Sequence, residues 1–256
     1  MSETIPPVPK IIHALWLQGE QQAPENVRFV FRRWAALNPD YEMRVLNADD
    51  VGRLMVGIGI PSQIMTLQTV ANIVRIRLLL DGGVWVDASL FPTRPLNTWL
   101  PDLVRPSGFF AFAQPGADRA LSTWFLAAAP GHMIPRTWLI AMLRYWATPR
   151  TMTHYEGGVI PPDPIWEVDP GGGAQHPTFP YFWFPYLFGH LLKTDAGFAA
   201  AWARCRKLSA EPPHLVQFLF ANGQPTHDEI RAVAWAAPVH KLDWRVTYPL
   251  AFLATL

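Results

Sequence analysis

The chain has 256 residues, a formal net charge of +1 with the histidines neutral, and a single cysteine, Cys205. A chain of this length buries roughly 70–75% of its unfolded surface without covalent staples; one cysteine excludes an internal disulfide framework, and the charge balance excludes the basic footprint of a nucleic-acid binder. Charged residues make up only 16% of the chain, against roughly 25% in an ordinary soluble domain, while twelve tryptophans and fifteen phenylalanines point to contact with a partner, a membrane surface or a stacking ligand.

Met1 to Pro9 is polar and proline-rich with no apolar h-region, so no secretory leader is expected there, and the stretch is expected to be flexible. The absence of an apolar run of about 18 residues predicts no transmembrane helix, and a cytoplasmic location follows as an expectation. Lys10 to Leu17 reads as a buried strand. Pro24 to Leu37 reads as a helix, with Val27, Val30, Phe31 and Trp34 at spacings of three and four. Tyr41 to Leu46 is a second strand. Helices are expected over Asp49 to Val56 and Ser62 to Leu80, separated by the GIGIP turn and stopped by Gly82 and Gly83. Val84 to Val86, apolar on both faces, reads as a central parallel strand. Phe109 to Gln114 and Ser122 to Ala129 are further strands, and Ile134 to Ala147 is a helix. Helices near Tyr186–Leu192 and Ala196–Leu208 are expected to wrap the sheet. The order argues one α/β domain over residues 1–256 with a mainly parallel sheet. The aromatic run Phe179 to Leu192 has two readings: a packed helix and loop, or a partly exposed membrane-surface or lipid-acceptor contact.

Several standard sites are absent: GxSxG, HExxH, GxxxxGK[ST] and any CxxC metal pair. The informative segment is Ala71 to Leu96, ANIVRIRLLLDGGVWVDASLFPTRPL. Asn72 and Arg75 share one face of a helix that is otherwise apolar nearly all round. A guanidinium buried there needs an anionic partner. Asp87 ends an apolar strand, at the end of the sheet where α/β ligands bind. Pattern alone leaves open a structural Arg75–Asp87 ion pair or a ligand site.

GGVWVDAS followed by RPL resembles the DXD-motif sugar transferases, closest in form to the capsular polysaccharide synthesis protein family. PKIIHALW, NPDYEMRVLN, LSTWFLAA, PPHLVQF and PVHKLDW add similar blocks in order across roughly residues 8–245. The family is related to the Och-type mannosyltransferases and distantly to the clostridial toxin glucosyltransferases. The resemblance implies a GT-A fold and a retaining hexosyltransferase. Its donor would be a nucleotide-sugar, a UDP-sugar before a GDP-sugar, and its acceptor a polysaccharide or lipid-linked saccharide, with peripheral membrane contact as a further expectation. It also implies Mn²⁺ or Mg²⁺. By motif position, Asp87 would lie on the donor and the metal, and Ser89 stands where the second Asp of DXD would ligate. Arg75 matches the family Arg near the donor, and Asn72 replaces a family Asp. Trp16 falls where relatives stack a nucleobase. His240 is the candidate C-terminal metal ligand, and His214 a weaker one. Asn47 and Asp49 could touch the base, stay solvated or cap a helix. His13 reads as a core histidine, and Trp124 as core or acceptor-side. A non-catalytic nucleotide- or carbohydrate-binding module, or a structural assembly partner, is the alternative suggested by Asn72, Ser89 and the low charge.

Overall fold

The computed structural model describes residues 5–58, 65–147, 154–155 and 179–256. Its central sheet has five strands: β1 (Ile11–Leu15), β2 (Glu42–Leu46), β3 (Gly83–Val86), β5 (Phe109–Gly116) and β6 (Arg119–Ala128), in the order β2-β1-β3-β6-β5. β1 pairs in parallel with β2 and β3, whereas β6 runs antiparallel to both β3 and β5. Four strands therefore share one direction and β6 alone is reversed. The α/β class and mostly parallel sheet expected from the sequence are present, and β3 is the central strand. The β5–β6 hairpin supplies the antiparallel pairings, because a short turn can join only antiparallel neighbours.

Helices cover both faces. α1 (Glu25–Leu37) buries Val27, Val30, Phe31 and Trp34, the stripe its spacing anticipates. α2 (Ala48–Met55) starts in a capping box made by Asn47 and Asp50. α3 (Leu67–Leu79) is capped by the Thr66 side chain, which accepts from the Thr69 amide. It is sunk in the core by Ile73, Val74, Ile76 and Leu79. Residues 59–64, part of the GIGIP turn and of the expected Ser62 start, lie outside the described residues. α5 (Met133–Ala147), α6 (Trp183–Thr194) and α7 (Ala196–Arg204) follow, joined by a short α4 (Leu100–Val104) earlier in the chain.

Strand alternation divides the core into two layers. Trp85, Phe109, Ala111, Leu126 and Ala128 face α3, α5 and α6. Val84, Val86, Phe110, Phe112, Phe125 and Ala127 face α1 and the C-terminal segment. A sheet covered on both faces must be apolar on both, which is where the excess of aromatic residues goes. In the run Phe179 to Leu192, Trp183, Phe184, Tyr186 and Phe188 are buried, and Trp138 stacks on Phe184 with ring centroids 4.2 Å apart. Tyr181 and Phe182 stay exposed at 54% and 36%. No helix among the described residues is long and apolar enough to cross a membrane.

Two short strands absent from the sequence reading prove decisive for the site. β4 (Leu90–Pro92) pairs antiparallel with β9 (Val239–Lys241), matching Leu90 with Lys241 and Phe91 with His240. Backbone bonds continue the register from Leu242 N to Ser89 O and from Thr93 N to Pro238 O. A two-residue parallel pair, β7 (His154–Tyr155) with β8 (Phe179–Pro180), completes the strand set of the described residues.

The turn that delivers β3 depends on Gly82. Its φ is +82°, and an added Cβ would lie 2.8 Å from Pro9 Cδ and 2.9 Å from Pro130 Cδ and N. Left-handed backbone and overpacking are both costly for an L side chain, so Gly82→Ala should destabilise the fold by about 2–4 kcal/mol. The check is the urea midpoint, which should fall without a change in slope.

Candidate functional site

Three parallel strands end at one rim of the sheet. The residues that follow them are Trp16 after β1, Asn47 after β2 and Asp87 after β3. Open α/β sheets bind ligands at this rim because the strand ends leave a crevice between diverging loops.

Asp87 is the electrostatic centre. Its Oδ1 accepts from Arg75 Nη2 at 2.9 Å and from Trp85 Nε1 at 3.1 Å. Its Oδ2 lies 3.3 Å from Lys241 Nζ. Burial works to raise the Asp87 pKa; the charges of Arg75 and Lys241 and the bonds from Trp85 and Lys241 outweigh it, so the net shift is downward. The carboxylate is ionised at neutral pH.

Arg75 rises from the buried face of α3, with a side chain only 8% exposed. Its Nη1 donates to Thr123 O at 2.7 Å. The guanidinium lies over Trp85 at 4.8 Å and Phe184 at 5.6 Å. Burial pulls its pKa down and the Asp87 charge opposes that. An arginine nonetheless stays protonated. The pair the pattern anticipated is therefore made, and the same guanidinium also faces a cavity, which leaves the ligand reading open beside the structural one.

That cavity measures about 620 Å³ and is lined by Asn72, Arg75, Arg119, Trp124, Phe182 and His214 among others. Its size lies within the range of small-molecule sites. Arg119 is held by Asp118 at 3.1 Å and lies over the Phe182 ring at 3.8 Å. His214 packs edge-on against Trp124, and its Nδ1 is 3.0 Å from Gln217 Oε1. Burial lowers the His214 pKa, with the bond to Gln217 Oε1 opposing.

The nucleobase candidate Trp16 meets Trp244 edge to face at 5.7 Å. Trp244 is 41% exposed, and Arg245 lies over its ring at 4.5 Å. Asn47 is spent on capping, its side chain accepting from the Asp49 and Asp50 amides at 2.9 and 3.1 Å. Asp49 itself is exposed in the first turn of α2. His13 is buried in β1 with its pKa lowered to about 4, by burial first and the Arg44 charge second. It is a neutral core histidine.

The metal expectation does not fit these residues. His240 is fully buried, and its Nε2 pairs with Ala234 O at 2.8 Å. Neighbours on a strand point to opposite faces, so Lys241 rather than His240 turns to Asp87. Lys241 Nζ donates to Ser89 Oγ at 2.7 Å while lying beside Asp87 Oδ2. The ammonium fills the space between the two oxygens assigned to the ion. Among the described residues, no group of three or more His, Cys, Asp or Glu side chains could hold a metal.

Sequence reasoning overlooked Lys241 and Trp244. Both lie in the PVHKLDW block, where His240 drew attention because imidazole is the commoner ligand. A lysine following the apolar stretch Ala236–Val239 in a charge-poor chain was the available signal.

The sequence profile of the family described as "Capsular polysaccharide synthesis protein" matches residues 3–156. HOC1 of Saccharomyces cerevisiae, a candidate glycosyltransferase, is 29% identical over 150 residues. The match takes in 50% of this chain and 37% of HOC1, so the chain spans little more than a third of that relative. Two solved structures align at a TM-score of 0.41, too low a likeness to bear on the chemistry of this chain. One is the PaToxG glycosyltransferase, 13% identical over 78% of this chain and 75% of that one. The other is a glycosyltransferase involved in the glycosylation of the major capsid of PBCV-1, 9% identical over 96% of this chain and 97% of that one.

Asp87 is only a quarter exposed at 26%, and removing its charge leaves Arg75 buried without a counter-ion. Asp87→Asn should cost about 3 kcal/mol at pH 7, the low end for a broken buried pair. The folded-state pKa lies below the unfolded value of about 3.9. The carboxylate's contribution is therefore complete above that value and lost as pH falls through the folded pKa. The gap in unfolding free energy between wild type and Asp87→Asn should narrow only below about pH 4.

Proposed function

Because this chain belongs to the capsular polysaccharide synthesis protein family, we propose that it is a glycosyltransferase of the GT-A type. In this reading it moves a hexose from a nucleotide-sugar, a UDP-sugar before a GDP-sugar, to a polysaccharide or lipid-linked saccharide with retention of configuration. The observation that carries the reading is the ionised Asp87, bound between Arg75 and Lys241 at the strand-end rim where the sheet opens.

The geometry supports a division of labour among these residues. The nucleobase stacks at Trp16, where a flat ring can hold any base face, and Trp244 braces that ring from the side. The diphosphate lies by Arg75 and Lys241. These two cations and one carboxylate leave a net positive charge to meet the charge that develops on the departing nucleotide. The cavity beyond Arg75 receives the saccharide: it is aromatic in Trp124, Phe182 and Trp183 and polar in Asn72 and Arg119. Aromatic walls with a few polar groups suit the C–H face and hydroxyls of a sugar.

In the transfer, the bond between the sugar's anomeric carbon and the diphosphate oxygen breaks as the acceptor oxygen bonds that carbon on the same face. The acceptor's hydroxyl proton departs on the diphosphate oxygen released. No side chain of this site is asked to form a covalent intermediate. The protein holds the two substrates on one face of the sugar and stabilises the leaving charge.

Titration with UDP and GDP, followed by a screen of their sugars for transfer and slow hydrolysis, tests the reading. Trp16→Ala should weaken nucleotide binding by about 1–3 kcal/mol, the worth of one base stack, and Trp16→Phe should retain most of it. Nucleotide binding with no sugar released from any donor would turn the reading to a non-catalytic binding module. Unchanged affinity in Trp16→Ala would return Trp16 to a packing role.

A further inference from the structure

We propose that the Lys241 ammonium is the resident cation of this site, standing where a divalent ion would sit and contacting the donor diphosphate, so that nucleotide binding requires no metal. The inference rests on the donor reading above and deepens it.

The geometry is specific. Nζ donates to Ser89 Oγ at 2.7 Å and lies 3.3 Å from Asp87 Oδ2. A Mg²⁺ ion bridging those two oxygens would need to approach each to about 2.0–2.1 Å and gather about six oxygen ligands. The ammonium already fills that space. The remaining carboxylate oxygen, Oδ1, is engaged by Arg75 Nη2 and Trp85 Nε1. An incoming dication would also meet two cationic side chains across short distances, in a half-buried setting where repulsion is poorly screened.

Lys241 is not placed there by chance rotation of a long surface side chain. It is the last residue of β9, and its backbone is registered against Leu90. The next residue continues the ladder, Leu242 N donating to Ser89 O at 2.9 Å. The strand pairing therefore fixes the lysine over the Asp87–Ser89 turn. An ammonium has three donors. Ser89 and Asp87 account for two of them, and the side chain keeps 23% exposure, which leaves one N–H for a phosphate oxygen. The surrounding charge favours an anion too. Arg75 and Lys241 exceed Asp87 by one positive charge, and the positive charges of Lys241 and Arg119 both act on nearby His214.

Calorimetric titration of the whole chain with UDP, and GDP in parallel, tests this in excess EDTA and in excess Mn²⁺. The expected result is affinity that agrees within about twofold between the two conditions. Lys241→Met, which keeps the stem and removes the charge, should lose about 10- to 100-fold in EDTA, the worth of a charge-assisted hydrogen bond. Lys241→Arg should keep most of the binding, and thermal unfolding of both variants separates lost binding from lost folding. Wild-type binding that appears only with Mn²⁺ would overturn the inference while leaving the donor reading standing. So would EDTA-insensitive binding that a folded Lys241→Met retains in full. Failure of both nucleotides to bind wild type under either condition would instead remove the donor reading, and this inference with it.

Discussion

The structure turns on one carboxylate held between two cations. Asp87 follows the central strand, Arg75 reaches it from the buried helix α3, and Lys241 reaches it from a strand near the C-terminus. Neither Arg75 nor Asp87 is tolerable alone at its depth. Arg75 would be a buried cation without a counter-charge, and Asp87 a carboxylate in a largely apolar turn. Together with Lys241 they tie helix, sheet and C-terminal segment to a single point, and that point is also the rim where a ligand would enter. A site whose charges hold the fold together is preorganised, since its groups do not have to move to meet a developing charge.

The aromatic content has a plain physical origin once the sheet is seen. β3 is buried along its whole length, and β5 and β6 put large rings on both faces. Covering two faces with helices consumes charge-free surface on the helices as well, which depresses the charged fraction of the whole chain. Most of the run from Phe179 to Leu192 belongs to this packing, with Tyr145 stacked on Trp183 and Trp138 on Phe184. Tyr181 and Phe182 depart from it. They remain exposed and border the cavity beside Arg75, so the aromatic excess is mainly a core feature with a small remainder at the site.

The β4–β9 pairing shows how a short element can govern chemistry. Three residues on each side suffice because the pairing is reinforced outside the ladder. Trp34 Nε1 donates to Leu90 O at 2.7 Å, and Thr93 Oγ1 donates to Ala237 O at 2.9 Å. The second of these bonds joins residues 144 apart in the chain. The pairing and its bonds carry Lys241 to Asp87 and, three residues later, Trp244 to Trp16. The ammonium at that junction supplies one positive charge where a divalent ion would supply two, and it comes from the backbone register rather than from solution.

Local pattern determined much of this protein. The apolar stripe of α1, the buried α3, the glycine stop before β3 and the convergence of Arg75 with Asp87 all follow from residues close in sequence, where spacing dictates which side chains share a face. The ordered motif blocks likewise point to the family from the sequence alone. Tertiary structure decided the rest. The reversal of β6, the short β4–β9 ladder and the choice of Lys241 over His240 depend on contacts between distant segments. A strand of three residues has too few positions to declare its period, and its sequence cannot say which neighbour it pairs with. Since a strand's faces alternate residue by residue, that one pairing register determined whether an imidazole or an ammonium would meet the carboxylate.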